Sequence, residues 1–148
     1  MKTIIICAST HHGNTRKLVD AIVAKHPDIE VVDSTKETSR DLSGYDLIGF
    51  ASGIYGANFH PSIVKFAKEN LPEDKKIFYI STAAMDKDFS KSMAGAVGGK
   101  NTRIVGYYHC QGYNTFGPFK LIGGTAKGKP DAQDIQNAVD FYDRISKI

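Results

Sequence analysis

The sequence contains no apolar run near the roughly 20 residues that a bilayer-spanning helix requires. The first residues do not read as a secretory leader. Lys2 is followed by a strand-like run, not by an apolar h-region and a small-residue cleavage site. No signal peptide or membrane insertion is therefore expected, and the expected location is the cytoplasm. Cysteine is scarce: Cys7 and Cys110 stand far apart, with no CxxC spacing. That excludes a disulfide framework, and both read as small buried hydrophobes in a reducing compartment. The turn after the first apolar run has neither GK[ST] nor GxGxxG, which argues against ATP or GTP and against a nicotinamide dinucleotide there. The net charge of +3 is too small to imply nucleic acid. Acids are nearly missing between Lys87 and Lys129, where Asp88 stands among Lys87, Lys91, Lys100, Arg103, Lys120, Lys127 and Lys129. Solvated surface is the plainer reading of that stretch; a partner-facing positive face is the alternative.

What is present is an ordinary globular composition. Hydrophobic residues make up 41% and charged residues 24% of 148, enough for one domain, 1–148, with a real core. Apolar runs predict five strands: 2–7, 29–32, 45–51, 76–81 and 103–108. Between them, helical spacing predicts a helix from Thr15 to Lys25, ended by His26-Pro27, and one from Pro61 that ends before Pro72. A short helix over 90–95 and a last one capped by Asp131 complete the series. Asp33 to Ser43 reads as a loop with room for one helical turn. Gln111 to Lys129 reads as a long loop, and loops of that length are usually functional or pack on themselves. Strands that are almost continuously apolar, alternating with helices, indicate a parallel sheet covered on both faces. Ligands on such sheets bind beyond the carboxyl ends of the strands, where the strand order reverses. The segments 9–15, 52–59 and 82–89 meet there.

The first of these, Ser9-Thr10-His11-His12-Gly13-Asn14-Thr15, joins a strand to a helix. The first amides of a helix have no intrahelical partner and sit at the positive end of its dipole. With the Thr10 and Thr15 hydroxyls and a glycine for close approach, the turn suits a phosphate. The plainer reading is a helix start capped by Asn14 or Thr15. A phosphatase with Cys7 as nucleophile would need an arginine where Gly13 stands. A phospho-accepting receiver would need acids where Ala8-Ser9 and Ser52-Gly53 stand. Both are rejected, which leaves a phosphate held permanently by amides and hydroxyls.

This turn, ending in Gly13-Asn14-Thr15, resembles the flavodoxin fingerprint, and the order of elements resembles that family along the whole chain. His12 departs from the usual threonine. The resemblance implies an α/β fold with a five-stranded parallel sheet in the order 2-1-3-4-5, helices on both faces, and flavin mononucleotide (FMN) as cofactor. It also implies a cofactor site made of Ser9, Thr10, His11, His12, Gly13, Asn14, Thr15, Ser52, Gly53, Ile54, Tyr55, Gly56, Ala57, Thr82, Ala83 and Ala84. Either histidine could contact phosphate, through its ring or its amide. Tyr55 is the expected stacking aromatic, with Phe59 as competitor, and the second wall is open among Phe89, Met85 and Tyr113. Gly56 matches the peptide that turns over when the flavin gains one electron, so that its carbonyl meets the newly protonated N5; glycine tolerates the positive φ this needs.

By the same resemblance the function is an FMN-binding electron-transfer protein that shuttles single electrons. It needs no catalytic acid, base or nucleophile and no metal, because the chemistry belongs to the cofactor. Its partners would be redox proteins, a flavodoxin reductase or other donor and an acceptor enzyme, with the carrier a monomer. One alternative is a flavodoxin-fold oxidoreductase, an NAD(P)H-dependent quinone reductase or porphyrinogen-type oxidase, with Tyr113, Phe116 and Phe119 walling a substrate pocket. Another is a binding module that has lost flavin. Flavodoxins are typically acidic, and this chain is mildly basic. Fewer neighbouring anions destabilise an anionic, fully reduced flavin less. Potentiometric titration should therefore place the last reduction step at a less negative potential than in acidic flavodoxins.

Overall fold

The computed structural model describes residues 1–10, 12–113 and 124–148. His11 and the stretch 114–123, which includes Phe116 and Phe119, lie outside the described residues.

The chain runs β1 (Thr3–Ala8), α1 (Asn14–Lys25), β2 (Glu30–Asp33), β3 (Leu47–Tyr55), β4 (Asn58–Phe59), α2 (Pro61–Asn70) and β5 (Lys76–Ala83). A 3-10 turn (Ser90–Met93), α3 (Ala94–Val97), β6 (Arg103–Gln111) and α4 (Ala132–Ile145) follow. The strands lie in the order β2-β1-β3-β5-β6, and every pair on this path is parallel. With the two-residue β4 set aside, this is the expected 2-1-3-4-5 order. β1 lies inside the sheet, between β2 and β3, and all six of its residues are buried.

Both faces are covered because alternate residues of the strands point opposite ways. Ile5, Cys7, Leu47, Phe78 and Ile80 pack under α1 and α4, against Leu18, Val19, Ile22, Ala138 and Tyr142. Ile4, Ile6, Phe50 and Tyr79 pack under α2 and the α3 region, against Ile63, Phe66, Met93 and Val97. Gly49 makes room for the Phe78 ring: a β-carbon there would lie 2.3 Å from it. The Tyr142 hydroxyl reaches across to Thr3 Oγ1 at 2.9 Å, tying the last helix to the first strand.

Several boundaries differ from expectation. β3 continues to Tyr55 and folds back through β4, so much of the expected 52–59 loop is a hairpin. Thr82 and Ala83 belong to β5, and β6 extends to Gln111. In each case the strand runs past its apolar core into polar and small residues, where hydropathy gives no signal. The expected helix over 90–95 is a 3-10 turn that passes into α3. Asp33 does start one helical turn, with its carbonyl accepting from Glu37 N at 2.9 Å. Asp131 caps α4 as expected, in a reciprocal pair with Asp134. No helix among the described residues is long and apolar enough to cross a membrane.

Burial pushes the Cys7 and Cys110 thiols up to about 12. The thiolate is the reactive species. Neither cysteine should react with Ellman's reagent in the native protein at neutral pH, and both should react once urea unfolds it.

Candidate functional site

Above the carboxyl ends of β1, β3 and β5 lies a cavity with about 310 Å³ of space, part of it open to solvent. It is lined by Ser9, Asn14, Thr15, Gly53, Ile54, Tyr55, Thr82, Ala83, Ala84, Gly112 and Tyr113. None of these side chains is charged. The strand order also reverses here: β1 pairs with β2 on one side and β3 on the other, while α1 and α2 cover opposite faces.

The floor is the turn from β1 to α1. His12 and Gly13 both take left-handed conformations, at φ 56° and 64°, which swing the chain into the helix. Gly13 occupies the N-cap position, and its side chain can offer no oxygen. The expected cap, Asn14 or Thr15, is therefore corrected: both are already helical. The capping oxygen comes from upstream, where Ser9 Oγ accepts from Arg16 N at 3.1 Å. Lys17 N donates to Gly13 O at 3.1 Å. Helix geometry leaves the Asn14 and Thr15 amides without an intrahelical acceptor. The nearby Arg16 guanidinium bonds to Asp20 at 2.7 Å, which raises its pKa through that hydrogen bond.

The hydroxyls at the floor come in pairs. Thr15 Oγ1 meets Thr82 Oγ1 at 2.8 Å, and both residues are buried. Thr10 Oγ1 meets the Tyr55 hydroxyl at 2.7 Å. Each pair shares one proton across its contact.

One wall is Tyr55, whose ring leans back over Gly53: a β-carbon at Gly53 would lie 3.1 Å from the Tyr55 oxygen. Phe59, its competitor, is only 1% exposed and packs edge-on against Tyr79 and Tyr107, so it belongs to the core. The opposite wall is Tyr113, which stacks on the His12 ring at 4.5 Å with the planes 2° apart. Met85 is 59% exposed and Phe89 packs on the core, and neither lines the cavity. Of Phe89, Met85 and Tyr113, the one that lines the cavity is Tyr113.

Asn14 fastens that wall. Its Nδ2 donates to the Tyr113 carbonyl at 2.8 Å, while its Oδ1 is buried with no hydrogen-bond partner among the described residues. Gly112 permits the close approach, since a β-carbon there would fall 2.7 Å from Asn14 Nδ2. Gly112 is the lining residue that the sequence reading did not place in the site. Its signal was the Gln111-Gly112-Tyr113 step directly after a strand.

Of the expected site residues, the cavity gathers Ser9, Asn14, Thr15, Gly53, Ile54, Tyr55, Thr82, Ala83 and Ala84. Thr10 joins through Tyr55, and His12 through Tyr113. Ser52 does not line it. Its hydroxyl donates to Gly53 O and accepts from His60 N at 2.9 Å, which braces the hairpin against the start of α2. Gly56 and Ala57 form the hairpin tip and also do not line the cavity.

Residues 5–104 match the family model described as a flavodoxin domain. The chain belongs to the flavodoxin family. An uncharacterized protein of Methanocaldococcus jannaschii is 37% identical over 150 residues, covering 99% of each chain. The solved structure of a flavodoxin, WrbA-like protein from Agrobacterium tumefaciens superposes with a TM-score of 0.70 at 13% identity, over 99% of this chain and 96% of the other. A flavoprotein from Lactobacillus acidophilus, solved in complex with FMN, gives 0.53 at 16% identity, over 73% and 92%. At those identities the two structures speak for the fold.

Replacing Ser9 by alanine removes the oxygen that caps Arg16 N. Urea denaturation should show a loss of about 1 kcal/mol with the native circular dichroism spectrum retained.

Proposed function

We propose that the protein is a one-electron carrier that binds FMN without a covalent bond, working as a monomer in the cytoplasm between redox partner proteins. The observation that carries this reading is a cavity at the start of α1, set where the strand order reverses, with no charged side chain among its described lining residues. Backbone amides and hydroxyls suit a phosphate monoester that is kept, not transferred.

The residues present fit the cofactor. The Asn14 and Thr15 amides and the Ser9 hydroxyl would hold the phosphate. Buried Asn14 Oδ1 lacks a partner among the described residues and can accept from a ligand hydroxyl or N–H. Tyr55 and Tyr113 would flank the ring system, and Thr82 to Ala84 would meet its polar edge. When bound, FMN supplies the chemistry that divides two-electron reduction into single-electron steps.

The chain's own contribution to that division is the hairpin tip. Tyr55 pairs with Asn58, leaving Gly56 and Ala57 as a two-residue turn with φ of 57° and 66°. Positive φ at both positions is type I′ geometry. Rotating the central peptide gives type II′, in which only the first position needs positive φ. Glycine already stands there, and Ala57 would leave a conformation that costs about 1–2 kcal/mol. One contact opposes the rotation: Asn58 Nδ2 donates to Gly56 O at 3.0 Å, worth about 0.5–1.5 kcal/mol. The two effects are similar in size, so the Gly56 carbonyl is poised between orientations.

The test is a visible spectrum of the purified protein with added FMN, followed by stepwise photoreduction. The expected result is bound flavin that accumulates a stable one-electron stage and depends on a separate reductase for turnover. Bound flavin that reduces directly by two electrons, with NADPH-driven quinone turnover, would replace the carrier by an oxidoreductase. Thr15→Glu should abolish FMN binding, because it sets a carboxylate at the helix start; unchanged affinity would remove the phosphate assignment.

A further inference from the structure

Beside the hairpin lies a second, unassigned concavity. It is lined by Asn58, Phe59, Pro61, Val64, Lys65, Lys68 and Ser92, with about 860 Å³ of space, part of it open to solvent. Pro61, Val64, Lys65 and Lys68 stand three and four residues apart, on one stripe of α2. Pro61 and Val64 supply the accessible apolar floor, and Lys65 and Lys68 form the lip. Both lysines are exposed, and no acid lines the groove among the described residues. The nearest carboxylate on the helix is Glu69, 3.7 Å from Lys65, where Lys65 is 72% exposed. An exposed pair of this kind binds weakly and leaves the lysine available.

Asn58 stands between this groove and the hairpin tip. It lines the groove, and its Nδ2 is the donor that holds the Gly56 carbonyl. The foot of the hairpin is anchored: Phe59 N donates to Ser92 Oγ at 3.0 Å, and the Phe59 ring is buried. An occupant that engages the Asn58 carboxamide therefore acts on the Gly56 carbonyl without moving the strand beneath it.

We infer that this groove docks an acidic protein partner through an apolar side chain flanked by carboxylates, and that Asn58 couples docking to the Gly56 peptide. Charge selects the occupant. A second copy of the chain would bring two lysine lips together, and the chain carries +3 overall. An acidic segment neutralises both lysines and seats its apolar side chain on Pro61 and Val64. The coupling rests on the carrier reading above, and the docking does not. By linkage, a partner that draws Asn58 away from Gly56 shifts the first reduction step, and the redox state shifts the partner's affinity equally.

The probe is a synthetic peptide with one leucine between two runs of glutamate and aspartate, titrated into the full chain and followed by backbone NMR. The expected result is shifts confined to Asn58, Val64, Lys65, Lys68 and Ser92. They should weaken with salt, as exposed charges demand, and weaken about tenfold or more in Lys65→Glu/Lys68→Glu. Absence of those shifts, or equal binding by the double variant, would overturn the docking. So would sedimentation with phosphatidylserine vesicles in place of peptide binding. With FMN bound, the peptide should move the midpoint of the first reduction step in the natural chain and leave it fixed in Asn58→Ala. An equal movement in both would overturn the coupling. The titration is also run without FMN, so failure of the flavin to bind would defeat the carrier reading and leave the docking result intact.

Discussion

The site depends on how the chain leaves β1. That strand is buried along its whole length, with a parallel neighbour on each side. Its exit has one open direction, upward between the helical layers, and the chain must reverse at once to begin α1. Two consecutive left-handed residues, His12 and Gly13, make the reversal, and the reversal turns the first amides of α1 over the sheet. Gly13 cannot cap the helix it precedes, so Ser9 supplies the oxygen from the other side of the turn. Cap and turn thereby close on each other.

The proposed site holds an anion without a charged side chain, and that choice has an electrostatic logic. A lysine or arginine would hold phosphate more strongly, but it would also place a full charge beside the redox group and add another titrating environment. Amides and hydroxyls give direction without net charge. The paired hydroxyls extend this economy: Thr15 bonds to Thr82 and Thr10 to Tyr55. The first pair also joins α1 to β5, so the turn before α1 and the third site segment share one hydrogen-bonded frame.

Strand order, helical layers and the turn between β1 and α1 were legible in the sequence, because each rests on local pattern: apolar runs, helical spacing, and hydroxyls and glycine between strand and helix. The Asp131 cap was legible for the same reason. The extensions of β3 and β6 were not. Ser52 to Tyr55 and His109 to Gln111 are held as strand by neighbours distant in sequence, and nothing in their own hydropathy announces it. The cap was misjudged because Asn14 and Thr15 have capping side chains but turn them inward, onto Tyr113 and Thr82. Gly112 was missed because its role is a distance, the close approach of Asn14, and distances between residues 98 positions apart leave no local trace.

The burial of Phe59 has a mechanical consequence. Because its ring is locked among Tyr79 and Tyr107, the hairpin is a short arm clamped at its base. A clamped arm of two residues cannot slide or bend gradually, so stress at its tip can be relieved only by one peptide plane turning over. In the proposed carrier such an arm is a hinge with two stops instead of a spring, a part that answers a change at either end with a discrete step.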